Sequence, residues 1–411
     1  MRLTFIALFI GASLLAACGP DPRQSGPDDD DAGTVDDASF GCSTSISGRV
    51  FAPNGTLPLY NVLVYIPQTD PPPFAPGVQC GRCADSIPGG AIASTTSDAE
   101  GRFLIDGVPE GTDIPVIVTT GKWRRRLTVP ALAHCEERAI PDGTFRLPRN
   151  RTEGEMPRIA QVTGGCDGLA CVLTKIGIDA SEFGPSSTGP QAVTFFNGVG
   201  GVAPGAPQPA TALWGDLDEL KKFDVVLNAC ECDEHDENKT VPQLLRQYAD
   251  LGGRVYGSHF QHTWTRDLIP EWHDTATWVS GSFPGNAPRR IDTSHPEGVA
   301  LATWLVGVGA SPTYGEVNLG QTYPDATTVH PPATRWLYSP GSDITHYMSF
   351  QTPVGVPPAE QCGKVVYAGL HVSSGSVTGS FPSGCSTSFT ADEKALVFLL
   401  FDLQACEPII L

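Results

Sequence analysis

The chain has 411 residues, 40% of them hydrophobic and only 17% charged, with a formal net charge of -19. Such acidity excludes a nucleic-acid-binding role and electrostatic adhesion to anionic lipid. With 45 glycines, 37 prolines and 12 cysteines, it describes a loop-rich, disulfide-bearing protein of two or three domains in an oxidising compartment.

Met1 to Thr4 forms a short positive start, and Phe5 to Leu15 is an apolar run. That run is shorter than the ~20 residues a spanning helix needs. Leu15-Ala16-Ala17-Cys18 closes it with small residues before a cysteine. This arrangement resembles the lipobox of bacterial lipoproteins. The resemblance implies a signal peptide over residues 1–17, lipidation of Cys18 (palmitate among the acyl chains), and export to a bacterial membrane, at the outer membrane or cell surface. Removing residues 1–17, which include Arg2, would make the charge -20. Residues 18–41 carry the run Asp28 to Asp31 and almost nothing apolar, so they read as an acidic disordered tether. No later segment is apolar enough to span a bilayer.

From Ser45 the pattern becomes one of short strands and turns. Strands are expected at Ser45 to Phe51, Val62 to Ile66, Ala93 to Thr96, Arg102 to Ile105, Val116 to Thr119, Arg126 to Val129 and Thr144 to Leu147, with a tight turn at Asp98 to Gly101. Residues Gly48-Arg49-Val50, Pro58-Leu59, Gly101-Arg102-Phe103 and Gly107 to Gly111 resemble the carboxypeptidase regulatory-like (transthyretin-like) family. The resemblance implies an antiparallel β-sandwich over residues 42–150, used as a spacer or binding accessory without catalytic residues. Lys122-Trp123-Arg124-Arg125-Arg126 stands out on so acidic a chain. It reads as a docking edge for an anionic glycan, with Trp123 stacking, or as a hairpin packed on the tether or the second domain. Cys80-Gly-Arg-Cys83 lies in a Pro/Gly-rich loop and reads as a structural staple rather than a redox pair.

Beyond Met156 strands and helices alternate. Strands are expected at Arg158 to Thr163, Ala192 to Phe196, Asp224 to Asn228, Arg254 to Gly257 and Lys364 to Leu370. Helices are expected at Asp167 to Ile176, Asp216 to Phe223, Leu244 to Leu251 and His295 to Val308, with a last one behind a Thr390/Glu393 capping box. A second box is expected at Thr240 to Gln243. The pattern is that of an α/β, flavodoxin-like, doubly wound parallel sheet over residues 155–411. Phe223 to Leu227, Tyr248 to His259 and Gly363 to His371 resemble the trehalose-utilisation-protein-like branch of the class I glutamine amidotransferase-like fold. Residues 264–360 carry no motif.

Ligand sites in such sheets lie at the carboxyl ends of the strands. The family's Gly-x-Cys-x-Gly elbow is replaced here by Gly257-Ser258-His259-Phe260-Gln261, and its His-x-Glu by His371-Val372-Ser373. Both departures remove essential groups, so glutamine hydrolysis is not expected. The candidate cleft comprises Ser258, His259, His262 and His371. A zinc set of His259 and His262 with Asp233, His235 or Glu231 is the sharper alternative. Cys230 and Cys232 are expected in disulfides. Trp264 and Trp272, among polar neighbours, are candidates for stacking a sugar. Apart from Cys18, eleven cysteines remain, and the odd number leaves at least one thiol unpaired within the chain. Two functions follow: a lipid-anchored envelope lipoprotein with a binding or structural role, or a metal- or His-dependent enzyme acting on carbohydrate or cell-envelope glycan. Expected partners are the membrane through the lipid, and a glycan or envelope protein.

Overall fold

The computed structural model describes residues 42–81, 87–279, 288–320, 322–372 and 381–405. Cys18, the signal peptide, the tether, Cys83, Ser373 and Cys406 lie outside these. Chain contacts divide the protein into Met1–Cys42 and Ser43–Leu411, the latter a single compact unit. It contains several mixed and antiparallel sheets with helices.

In residues 43–150 two four-stranded sheets form. One is built on Ser45–Phe51, paired antiparallel with Arg102–Asp106. The other runs in the order Ala91–Thr96, Leu63–Pro67, Gly111–Thr120, Trp123–Leu132. Alternation decides which face is inside: in Arg102–Asp106 only Phe103 and Ile105 are buried. The turn before that strand has Gly101 at φ +75°, where its amide donates to the Asp98 carbonyl.

The large sheet begins with six parallel strands: Phe183–Gly184, Val193–Phe196, Ile159–Val162, Val225–Asn228, Arg254–Ser258 and Gly363–Ala368. The five longer ones lie in the order second, first, third, fourth, fifth along the chain. Ile159–Val162, Val193–Phe196, Val225–Asn228 and Gly363–Ala368 are buried throughout, as runs such as Val225-Val226-Leu227 require when both faces are covered. Beyond Gly363–Ala368 the sheet turns antiparallel through Thr345–Thr352, Thr334–Tyr338, Arg289–Ile291 and Glu316–Val317. This extension comes from the stretch without motifs.

Helix Ala391–Gln404 opens with the expected Thr390/Glu393 capping box. The box at Thr240 does not form: helix Gln243–Asp250 starts behind Pro242, with no side-chain cap. Ala391–Gln404 is apolar nearly all round because it is covered on more than one side. Tyr60 stacks on its Phe398, and Trp123 packs against its Phe401. One hydrophobic core therefore runs from Ile46 and Val118 through to Leu399 and Val366. The two sequence regions share it, and a disulfide from Cys80 to Cys362 clamps them. No helix among the described residues is long and apolar enough to cross a membrane.

The basic run around Trp123 belongs to this junction. Lys122 pairs with Asp224 at 2.7 Å, and Arg124 donates to Glu155. Trp123 is fully buried, its indole N–H donating to Gln404 Oε1 at 2.7 Å. Trp123 is thus core, which corrects its assignment as a ring for stacking a glycan.

Candidate functional site

Three parallel strands end at one place. Ala229 and Cys230 follow Val225–Asn228, Ser258 ends Arg254–Ser258 with His259 next, and His371 lies just past Gly363–Ala368. The first strand, Ile159–Val162, feeds a loop whose Gly164 packs directly on Cys230. A Cβ at Gly164 would sit 2.1 Å from the Cys230 carbonyl oxygen, so only glycine fits there. This close approach carries Asp167 beneath the other three loops.

Asp167 is completely enclosed. Its Oδ2 accepts from the Cys230 amide at 3.1 Å and from the Ser258 hydroxyl, and its Oδ1 accepts from the Val372 amide at 2.8 Å. One carboxyl therefore ties four strand ends together. Burial pushes it up to about 7, against the pull of those three donors. Ser258 is consumed as one of these donors and is fully buried, so it is no nucleophile.

His259 occupies the elbow. Its φ of +41° is the left-handed conformation that a sharp strand-to-helix turn demands and that non-glycine residues seldom adopt. Its ring stacks on Tyr323, with centroids 3.5 Å apart and planes at 19°. His259 Nδ1 lies 2.9 Å from His371 Nε2 and 3.6 Å from Cys230 Sγ, while His371 Nε2 lies 3.2 Å from the same sulfur. On its other side, His371 Nδ1 faces the Tyr323 hydroxyl at 3.4 Å. Burial pushes the Cys230 thiol up to about 12, with Asp167 adding to the effect. Burial also holds His259 down near 3 and His371 near 4. The trio is therefore neutral as it stands.

The expected zinc set does not assemble. Asp233 is exposed, and His235 pairs with Glu237. His262 points elsewhere, between Glu234 at 3.2 Å and Asp325 at 3.5 Å. Glu231 is committed as a brace: it accepts from the Val199 amide and the Gln261 amide group, and it neighbours the buried Lys239. The set that does converge is Cys230, His259 and His371. Cys232 bonds to Cys166 and Cys171 to Cys385, whereas Cys230 is free and buried, which corrects the expectation of a disulfide there. The odd cysteine count was the signal for such a thiol. Asp167 and Tyr323 had no sequence signal beyond their place near strand ends.

The stacking candidates are corrected as well. Trp264 is enclosed, with its N–H on Gln261 Oε1 and its ring against Trp214. Trp272 is enclosed against Phe350. Neither offers a face to a sugar.

No protein-family model matches the chain, and no curated protein does. Solved structures with some likeness include SMU.1228c, at 9% identity over 60% of this chain and 99% of that one, with a TM-score of 0.31. A ThuA-like protein from Bacteroides uniformis ATCC 8492 is 10% identical over 60% of this chain and 91% of that one, also at 0.31. A type II cohesin–X-dockerin complex from Acetivibrio cellulolyticus is 15% identical over 36% of this chain and 78% of that one, at 0.17. Likenesses so slight assign no family and no activity to this chain.

Proposed function

We propose that this chain is a lipid-anchored cell-envelope protein whose amidotransferase-like domain binds rather than hydrolyses. In this reading the two small sheets are a carboxypeptidase regulatory-like sandwich, and the parallel strands a flavodoxin-like domain. The carrying observation is His259 at the elbow, in the strained backbone position where a hydrolase of that fold would present its nucleophile. A further support is His371, which has a tyrosine hydroxyl behind its ring. Disulfides such as Cys166–Cys232 support export, and Cys18 supplies the anchor, attaching the protein to the membrane with a glycan or envelope protein as partner.

One observation favours the alternative, an enzyme acting on envelope material: Cys230 Sγ stands 3.2 Å from His371 Nε2, a thiol–imidazole contact. Native alkylation separates the two. The full-length chain, stripped of metal with a chelator, is treated with iodoacetamide from pH 6 to 9 and Cys230 is followed by peptide mapping. A buried thiol pushed up to about 12 stays unmodified until the chain is unfolded. Rapid native modification, titrating below pH 8, would overturn the binding reading. Palmitate labelling that survives Cys18→Ser would overturn the anchor.

A further inference from the structure

We infer that Cys230, His259 and His371 form a mononuclear site for a thiophilic transition-metal ion of the zinc and copper class, bound by one thiolate and two imidazoles. The donor atoms Sγ, Nδ1 and Nε2 form a triangle with sides of 3.6, 3.2 and 2.9 Å. A point equidistant from all three lies about 1.9 Å from each, close to the ~2.0–2.1 Å of Zn–N and the ~2.3 Å of Zn–S bonds. An ion close to the triangle's centre would meet all three at near-ordinary length.

Hydrogen bonding satisfies at most two of the triangle's three contacts. Each imidazole nitrogen carries either a proton or a lone pair, and the sulfur brings one proton. In every neutral arrangement at least one of the three contacts has no hydrogen bond across it. Cys230 is fully enclosed and His259 is 5% exposed, so water does little to relieve that mismatch. A cation satisfies all three lone pairs at once.

The surroundings fit a metal thiolate. The Cys230 sulfur faces two imidazole nitrogens, His259 Nδ1 and His371 Nε2. Tyr323 holds both rings, stacking on His259 and facing the remote nitrogen of His371, as outer partners of ligating histidines do. One thiolate with two imidazoles is a donor set that selects zinc and copper over magnesium or calcium. The site also places a thiol in an oxidising compartment without a disulfide partner, where a bound ion would protect it.

The test uses the full-length chain, extracted in detergent from a host that exports it. Metal content is measured as isolated and again after chelation and reloading with zinc(II) or copper(I) alone. Wild type and His262→Ala should bind about one ion each; Cys230→Ser and His371→Gln should lose binding by at least a hundredfold. Chelated wild type loaded with cobalt(II) should show a thiolate-to-metal charge-transfer band, a readout that needs no variant to fold. Failure of wild type to hold any of these ions at micromolar concentration would overturn the assignment. So would a cobalt complex lacking the thiolate band, or undiminished binding by folded Cys230→Ser.

Discussion

Asp167→Asn exchanges one oxygen for nitrogen at the point where four strand ends meet. The native carboxyl, raised from its ordinary 3.8 to about 7, is protonated in the folded chain across a range where the unfolded chain has already released its proton. The folded state then binds more protons than the unfolded one, so stability falls as pH rises from about 4 to about 7 and levels off above. The full displacement corresponds to roughly 4 kcal/mol, of which about 3 kcal/mol falls between pH 4.5 and 8. Asparagine does not titrate. The stability of wild type minus that of Asp167→Asn should therefore drop by about 3 kcal/mol over that interval. Subtracting the variant cancels the histidines and surface carboxylates common to both. The assay is urea unfolding of the chelated full-length chain, disulfides intact, in steps of half a pH unit. A difference that stays flat, or that rises with pH, would refute this account of the carboxyl.

Three further outcomes follow from the core. Lys175→Met removes the cation beside the fully enclosed Glu393 carboxylate and should cost about 3–5 kcal/mol in denaturant unfolding; adding Glu393→Gln, which can keep the capping box while removing the charge, should recover more than half of that. Replacing both Cys80 and Cys362 with serine opens a link between residues 282 apart in sequence and should cost about 2–4 kcal/mol, read as a lower melting temperature under oxidising conditions. Trp123→Ala should cost about 3–5 kcal/mol by emptying a core position, while leaving any glycan binding unchanged on a glycan array.

How much of this was legible in the sequence depended on how local the signal was. The parallel strands showed themselves as continuous apolar runs between turns, and Val225–Asn228 and Arg254–Ser258 fall within a residue of where those runs place them. The Thr390 box is local chemistry and formed; the Thr240 box had the right letters, but Pro242 took the cap position. The edge of the antiparallel extension stayed hidden because Ala276–Trp278, Arg289–Ile291 and Glu316–Val317 are two or three residues long and are defined by distant partners. Trp264 misled because its neighbours are polar yet buried: Thr265 satisfies its hydroxyl on the His262 carbonyl and needs no water. At the site, His259 and His371 were readable from the elbow and the following strand end. Cys230 was not, because a cysteine-rich sequence with Cys232 two residues on favours a disulfide, and only the folded loops separate the two sulfurs' fates.

The most direct test of the thiol–imidazole centre is X-ray absorption at the zinc edge of the zinc-loaded full-length chain. The account predicts one sulfur at about 2.3 Å, with nitrogen neighbours at about 2.0 Å showing the outer-ring scattering of two imidazoles. A shell of nitrogen and oxygen alone, unchanged in Cys230→Ser, would contradict it.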